Sequence, residues 1–473
     1  MIMRNNVINN YENVEILAKK RVLNYTPVVL ENKRSRILKL ALPVIAGLST
    51  QTLLSLIDTA MIGRLPDAKY ALAAMGIAFL ATWAVVSFFS SLSTGTHVLT
   101  ARNYGSKDYE ECGNVLNTSI IMGFIIGMAV SFLVVYFSYQ IANVFAADNI
   151  VGRYAGEYLF YRFMGIPFFL ITVSYRGFYF GIGKTKVFMI AGITASLLNI
   201  LFDYSLIYGA FGLTAMGLAG AGLGSALATV VETTIYLIFS SLRKCRQKFN
   251  LFKNIKYKAG IAKNIVKLSL PISFQSIFTL IGFLLFMSII GITGTLQQAA
   301  SQTVLSTLFV SFMPAIGFGI AAQTLVGNKL GEDNIAEAKQ WGFETSKIAL
   351  TYTIFLGFIF ILFPKIIIPL LTSDSSIVEV AIPLMRIAGF AQVFIGIGFV
   401  LANGLLSAGE SLFVMLADVT INLFIFVPVA YLFGIILNLG VEGVWLAMPF
   451  YTSLYALVIF LKFKYGKWNK YRP

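Results

Sequence analysis

The stretch LKLALPVIAGLSTQTLLSLIDTAMIG, Leu38 to Gly63, has a counterpart in VKLSLPISFQSIFTLIGFLLFMSIIG, Val266 to Gly291. Each opens on a basic or polar lead-in and passes through a Leu-Pro dipeptide (Pro43, Pro271). Each then runs apolar for a helix length and closes on Ile-Gly. The echo continues downstream: THVLTARNYGSKDYEEC from Thr96 answers QTLVGNKLGEDNIAEAK from Gln323, and RFMGIPFFLI from Arg162 answers RIAGFAQVFI from Arg386. The chain is an internal duplication of a helix-rich unit.

What kind of unit follows from composition. Hydrophobic residues make up 58% of the chain and charged residues 12%, against about 25% charged in soluble domains. The apolar residues gather into about twelve stretches of roughly 20–28 residues, each long enough to cross a ~30 Å hydrocarbon core. These predict spans near 38–62, 71–97, 115–141, 155–180, 186–210, 214–241, 265–291, 297–326, 344–371, 377–404, 411–436 and 441–463. The expected fold class is an all-α membrane protein, with twelve transmembrane helices in two pseudo-symmetric six-helix lobes. Soluble folding is excluded.

Lys and Arg concentrate in an N-terminal arm (1–37), a linker (242–264) and a tail (464–473), which flank six-helix lobes at 38–241 and 265–463. Positively charged loops stay on the cytoplasmic side. With six spans per lobe, both termini and the linker are expected there, and the lobes are parallel repeats about an axis along the membrane normal. The formal charge of +15 is then a topology signal, and no nucleic-acid partner is expected. The arm lacks the apolar core of a signal peptide. After spans 2 and 8, RNYGSKDYEE and GNKLGEDNIAEAKQ each place a Gly before a polar turn, read as a helix stop followed by a short surface helix.

Few ionisable residues interrupt the spans, and each is a functional candidate because burying a charge in lipid is costly. They include Asp58 in span 1, Asp203 in span 5, Glu232 in span 6 and Asp418 in span 11. Asp58 and Asp203 fall at similar depth, roughly 7–11 Å in from the helix ends at ~1.5 Å per residue. Asn199 shares a face with Asp203 at i, i+4. Two carboxylates and an amide suit a proton or a sodium ion, and the residue types do not choose between them. Hydrogen bonds that merely tie helices together are the structural alternative. Glu232 and Asp418 are further candidate acids. Pro43 and Pro271 are either packing kinks or hinges of the matching first helices. Arg162 and Arg386, at matching repeat positions, read as anchoring or pairing residues, Arg176 as reaching headgroups, and His97 as a hydrogen-bonded interface residue. The run GLAGAGLG from Gly217 reads as close helix packing. No Cys/His/carboxylate set has metal-ligand spacing, no nucleophile is placed with a base, and neither a cofactor nor an enzyme activity is expected.

The motifs LALPVIAG with IDTAMIGRL, GTHVLTARNYGSKD, RGFYFGIGKTK with NILFDYSLIYG, LPISFQS, AAQTLVGNKLGE and NGLLSAGES, in this order, resemble the multidrug and toxic compound extrusion family of antiporters over nearly all of 36–463. The sequence is most similar to the DinF-like branch, whose pattern of an acid in span 1 and an Asn/Asp pair in span 5 is met by Asp58, Asn199 and Asp203. Spans 7 and 10, which carry acids in the NorM-like branch, here offer Thr279, Arg386 and Gln392. The resemblance implies alternating access in a multi-pass protein of the bacterial inner membrane. It would export small organic, cationic and amphipathic compounds as a monomer in the lipid bilayer, in exchange for protons or sodium. A flippase for a lipid-linked saccharide or cell-wall precursor is the alternative.

Overall fold

The structure, a computed structural model, describes residues 33–146, 148–253 and 256–468; most of the expected N-terminal arm and the end of the tail lie outside them. Among the described residues there is no strand. Span 1 is Lys33–Ile62, span 2 Ala68–Gly105, span 3 Tyr109–Phe145, span 5 Thr185–Tyr208 and span 6 Leu218–Ser241. In the second half, span 7 is Ala259–Thr293, span 8 Thr295–Gly331, span 9 Ile335–Leu362, span 10 Ser375–Ser407, span 11 Ser411–Ile436 and span 12 Gly440–Tyr465. Span 4 is a pair, Asn149–Met164 and Ile166–Gly181, bent by 50°.

The bend has a local cause. Pro167 cannot donate to the preceding turn, and it comes two residues after Gly165, whose N–H bonds the Arg162 carbonyl at 3.3 Å. Span 3 accommodates the bend with Gly127, where a Cβ would stand 2.6 Å from Pro167 Cα.

The polar segments after spans 2 and 8 differ from expectation. They do not form separate surface helices. Asp108 accepts from Glu111 N–H at 2.9 Å and Asn334 from Glu337 N–H at 3.0 Å. These N-caps start spans 3 and 9 at Tyr109 and Ile335, several residues before their apolar stretches. A capped helix propagates through polar residues as readily as apolar ones. Span 3, with 37 residues, is therefore ~55 Å long, well beyond a ~30 Å core. Span 9 ends at Leu362, and the apolar residues after it, expected within the span, form the short helix Pro364–Ile367 and a 3-10 turn.

Spans 1 and 7 each cross between the halves. The N-terminal half of span 1 buries Ile37, Leu40 and Ala41 against Phe318, Ala321 and Leu325 of span 8 and Trp341 of span 9. Beyond Pro43 the same helix returns to the first half: Val44 packs with Phe180 and Phe188, and Tyr208 donates to the Met61 carbonyl at 2.7 Å. Span 7 mirrors this. Ile261, Ile265 and Leu268 pack among first-half residues such as Val98 and Val115. Ser273 shares a 2.6 Å hydrogen bond with Ser91, and beyond it Gln275, Thr279 and Phe286 meet spans 11 and 12. Pro43 and Pro271 sit where each helix changes partner, inside helices that run on unbroken through them.

The C-terminal ends of spans 2 and 8 close on each other reciprocally. A Cβ on Gly105 would lie 1.9 Å from the Asn328 carbonyl oxygen, and one on Gly331 would lie 2.0 Å from that of Arg102. Because Gly105 and Gly331 are repeat equivalents, the contact is two copies of one backbone crossing. His97 Nε2 to Thr324 Oγ1 at 2.9 Å and Arg102 Nε to the Ser407 carbonyl at 2.9 Å extend it across the halves.

Candidate functional site: a carboxyl pair in the first half

Asp58 of span 1 and Asp203 of span 5 bring their carboxyl groups within hydrogen-bonding reach of each other. Asn199 lies one turn before Asp203 on the same face of span 5, without a hydrogen bond to it, and the Arg162 guanidinium stands close enough to act on both carboxyls. Asp203 is fully buried, Asn199 nearly so, and Asp58 is half-buried.

Span 6 makes this arrangement feasible. Its glycines let spans 4 and 5 approach closely: a Cβ on Gly220 would lie 2.7 Å from Leu206 of span 5, and one on Gly222 would lie 2.7 Å from the Tyr158 carbonyl of span 4. Gly224 faces the Asp203 carboxyl itself. The GLAGAGLG run is thus the surface on which Arg162 and Asp203 are set side by side. Small residues serve this purpose in helix contacts generally.

The electrostatics are unresolved by the protein alone. Both Asp203 oxygens, Asp58 Oδ1, Asn199 Nδ2 and Arg162 Nη1 are buried without a hydrogen-bond partner among the described residues. Two carboxylates in contact repel, and one guanidinium balances one of them. A proton, or a small cation taking oxygen ligands, would satisfy such a pair.

The other intramembrane acids are already engaged. Arg176 grips Glu232 bidentately, with Nη2 at 2.8 and 3.0 Å from its two oxygens and Nε at 3.2 Å. Arg176 therefore does not reach the headgroups, as its place in span 4 suggested; it turns inward and ties spans 4 and 6. Asp418 accepts from Tyr451 at 2.6 Å, Gln275 at 2.9 Å and Thr279 at 3.0 Å. Arg162 and Arg386 also part company, for Arg162 faces the carboxyl pair while Arg386 is exposed.

The family model MatE matches the chain twice, at residues 43–205 and 271–432. The chain belongs to the MatE family. It is similar to a probable multidrug resistance protein NorM of Thermotoga maritima, 28% identical over 92% of this chain and 93% of the relative. It also resembles the probable multidrug resistance protein YoeA of Bacillus subtilis, 21% identical over 85% and 87%. A solved MOP superfamily transporter from Pyrococcus furiosus superposes with a TM-score of 0.83 at 24% identity, covering 91% of this chain and 95% of that one. A multidrug resistance MATE family transporter in an outward-facing conformation gives the same TM-score. This MatE chain is accordingly a multi-pass, all-α membrane transporter rather than an enzyme, acting on a small-molecule substrate in a lipid bilayer.

Within the MatE fold, sequence reasoning brought Asp58, Asn199 and Asp203 into one list but left Arg162 out. The available signal was its position in a span, where a cation seeks an acid. It also did not find the cavity of about 280 Å³ enclosed by spans 7, 8, 10, 11 and 12. Its wall is rich in aromatic rings, including Phe283, Phe309, Phe399 and Tyr455, and Gln392 and Asn422 are among its polar members. Asp418 sits behind that wall, bonded to the lining residues Thr279 and Tyr451.

Proposed function

We propose that this chain is a secondary active exporter of the DinF-like kind, moving small amphipathic organic cations outward in exchange for protons or sodium. The observation that carries the reading is the Asp58–Asp203 pair, which has more negative charge than Arg162 balances and no hydrogen-bond donor for either Asp203 oxygen. The names of the similar proteins, multidrug resistance transporters, point to the same class of cargo.

The mechanism follows from where the pair sits. Asp58 is on the outer half of span 1 and Asp203 on span 5, so a cation entering between them draws span 1 toward the first lobe. Loss of the cation releases it. A cation drives transport only if it binds the outward- and inward-facing states unequally, and a site shared between span 1 and its lobe meets that condition. Pro43 and Pro271, at the points where spans 1 and 7 change partner, are the hinges. The lobes 38–241 and 265–463 move against each other, joined by the linker 242–264.

We further take the arm 1–37 and the tail 464–473 to be cytoplasmic, the membrane to be the bacterial inner membrane, and the protein to act as a monomer without a nucleic-acid partner. A flippase for an anionic lipid-linked precursor would call for free cationic side chains among the spans, whereas Arg176 is neutralised by Glu232 and Arg162 faces two acids.

The test is uptake of a fluorescent organic cation into proteoliposomes under a pH gradient and, separately, a sodium gradient. Asp58→Asn is expected to abolish gradient-driven transport in a folded protein. Full transport by that variant would refute the coupling site.

A further inference from the structure

The aromatic cavity of the second half shares no residue with the carboxyl pair, and its polar groups are set by a chain of hydrogen bonds that can be followed atom by atom. Ser311 of span 8 donates to the Leu308 carbonyl at 2.8 Å. Its oxygen is then free to accept, and Gln392 Nε2 of span 10 donates to it at 2.8 Å. This fixes the orientation of the Gln392 amide and leaves Oε1 without a donor, in a residue only 1% exposed. On the facing helix, Asn422 is 4% exposed and its Oδ1 likewise has no partner.

Asn422 begins a π-helical turn, Asn422–Phe426, within span 11. Such turns displace side chains from the regular helical register and recur at functional sites. Here the displaced amide fits over Gly282 of span 7, where any Cβ would collide with it at 1.7 Å. An unpaired buried amide oxygen costs about 1–3 kcal/mol, and this cavity retains two.

We infer that this cavity is the cargo-binding site, and that it selects flat aromatic compounds bearing N–H donors, which Gln392 Oε1 accepts while the Phe wall stacks on the rings. A positive charge on the ligand is favoured by the aromatic faces and by Asp418 behind Thr279 and Tyr451. Both Asp418 oxygens are taken by protein donors, so its contribution is long-range rather than a direct contact. The inference rests on the exporter reading and adds to it. Cargo and coupling ion occupy different lobes, and they influence each other through the preference for inward- or outward-facing states rather than by displacement from one site.

The experiment uses two related dyes, proflavine, with two exocyclic NH₂ groups, and acridine orange, in which both are dimethylated. Binding is measured by fluorescence at equilibrium with purified full-length protein in detergent, with no gradient. Wild type is expected to prefer proflavine about tenfold, the worth of one hydrogen bond to a buried acceptor. Gln392→Met, which keeps the side-chain volume and removes the oxygen, should bring the ratio near one. Ser311→Ala, which releases the amide from its anchor, should lower it as well and serves if the first variant does not fold. Equal binding of the two dyes by wild type, or a ratio unchanged in both variants, overturns the assignment even if gradient-driven transport is observed. A ratio that collapses in the variants upholds the cavity even if no gradient drives transport, in which case the exporter reading fails alone.

Discussion

Gly224 of span 6 lies directly against Asp203 of span 5, so close that a Cβ would stand 2.0 Å from Asp203 Oδ1. The smallest side chain would therefore have to displace the carboxyl, and the direction left to it is away from span 6. Gly224→Ala is expected to lower gradient-driven transport at least ~tenfold, a cost of ~1.4 kcal/mol in coupling, with expression and monodispersity preserved. Gly260→Ala, at a position with open space around it, is the control and should transport normally. Equal activity of the two variants would show that the carboxyl position does not matter.

The Arg176–Glu232 bridge is buried between spans 4 and 6, with side-chain exposures of 19% and 9%. Removing one member of such a pair leaves an uncompensated charge and costs ~3–5 kcal/mol, whereas replacing both by apolar groups is often tolerated. Arg176→Met and Glu232→Met are each expected to lower the melting temperature in detergent by several degrees. The double variant should recover most of the loss. If the double variant is the least stable of the three, the bridge is worth more than its desolvation.

Ser91 and Ser273 join spans 2 and 7 across the halves with their oxygens 2.6 Å apart. Replacing both by Cys places two sulfurs within disulfide reach, while the native thiols Cys112 and Cys245 are buried. If alternating access separates these helices, oxidation of the double-Cys protein will stop transport and a reductant will restore it. Undiminished transport by fully cross-linked protein would mean that the contact persists through the cycle.

Cys245 lies in the short linker helix Arg243–Lys248, packed with Tyr179, Phe249 and Leu251. Burial pushes its thiol above the ordinary range. The thiolate is the reactive form, so a raised thiol is mostly protonated at neutral pH. Alkylation should be slow at pH 7 and climb steadily through pH 9 without a plateau. Mass spectrometry of the labelled peptide reads the rate. Fast labelling at pH 7 would show that the linker detaches from the bundle.

Depth along a helix was legible in the sequence, and azimuth was not. Counting residues put Asp58 and Asp203 at one level, and hydropathy alone marked out the twelve spans, because both depend on local chain properties. Which way Arg162 or Arg176 turns depends on neighbours distant in sequence. Repeat logic paired Arg162 with Arg386, yet only the first has acids to face. The repeats also carry their acids at different levels: Asp203 lies 20 residues beyond Gly183 (203 − 183), while Asp418 lies 9 beyond the matching Gly409 (418 − 409). At ~1.5 Å per residue the difference of 11 residues is ~16 Å of depth. One half accordingly holds a carboxyl pair near one end, and the other a satisfied carboxylate beside an aromatic cavity. The cavity was illegible because its walls come from five helices, and a Phe in such a chain reads equally as lipid-facing surface. The GIP break in span 4 was present in the sequence, but nothing local distinguished it from the prolines that helices simply absorb.

The exchange of spans 1 and 7 between the halves has a consequence for biogenesis. The N-terminal half of span 1 leaves the ribosome first, but the residues that cover Ile37, Leu40 and Ala41 belong to spans 8 and 9 and are made last but a few. Until then that face of the segment has none of its second-half partners. The first helix inserted is thus only half seated until spans 8 and 9 have followed it, and the bundle cannot mature lobe by lobe as the chain is threaded in. A ribosome stalled in the basic linker would hold a six-helix intermediate whose opening helix is still half undocked.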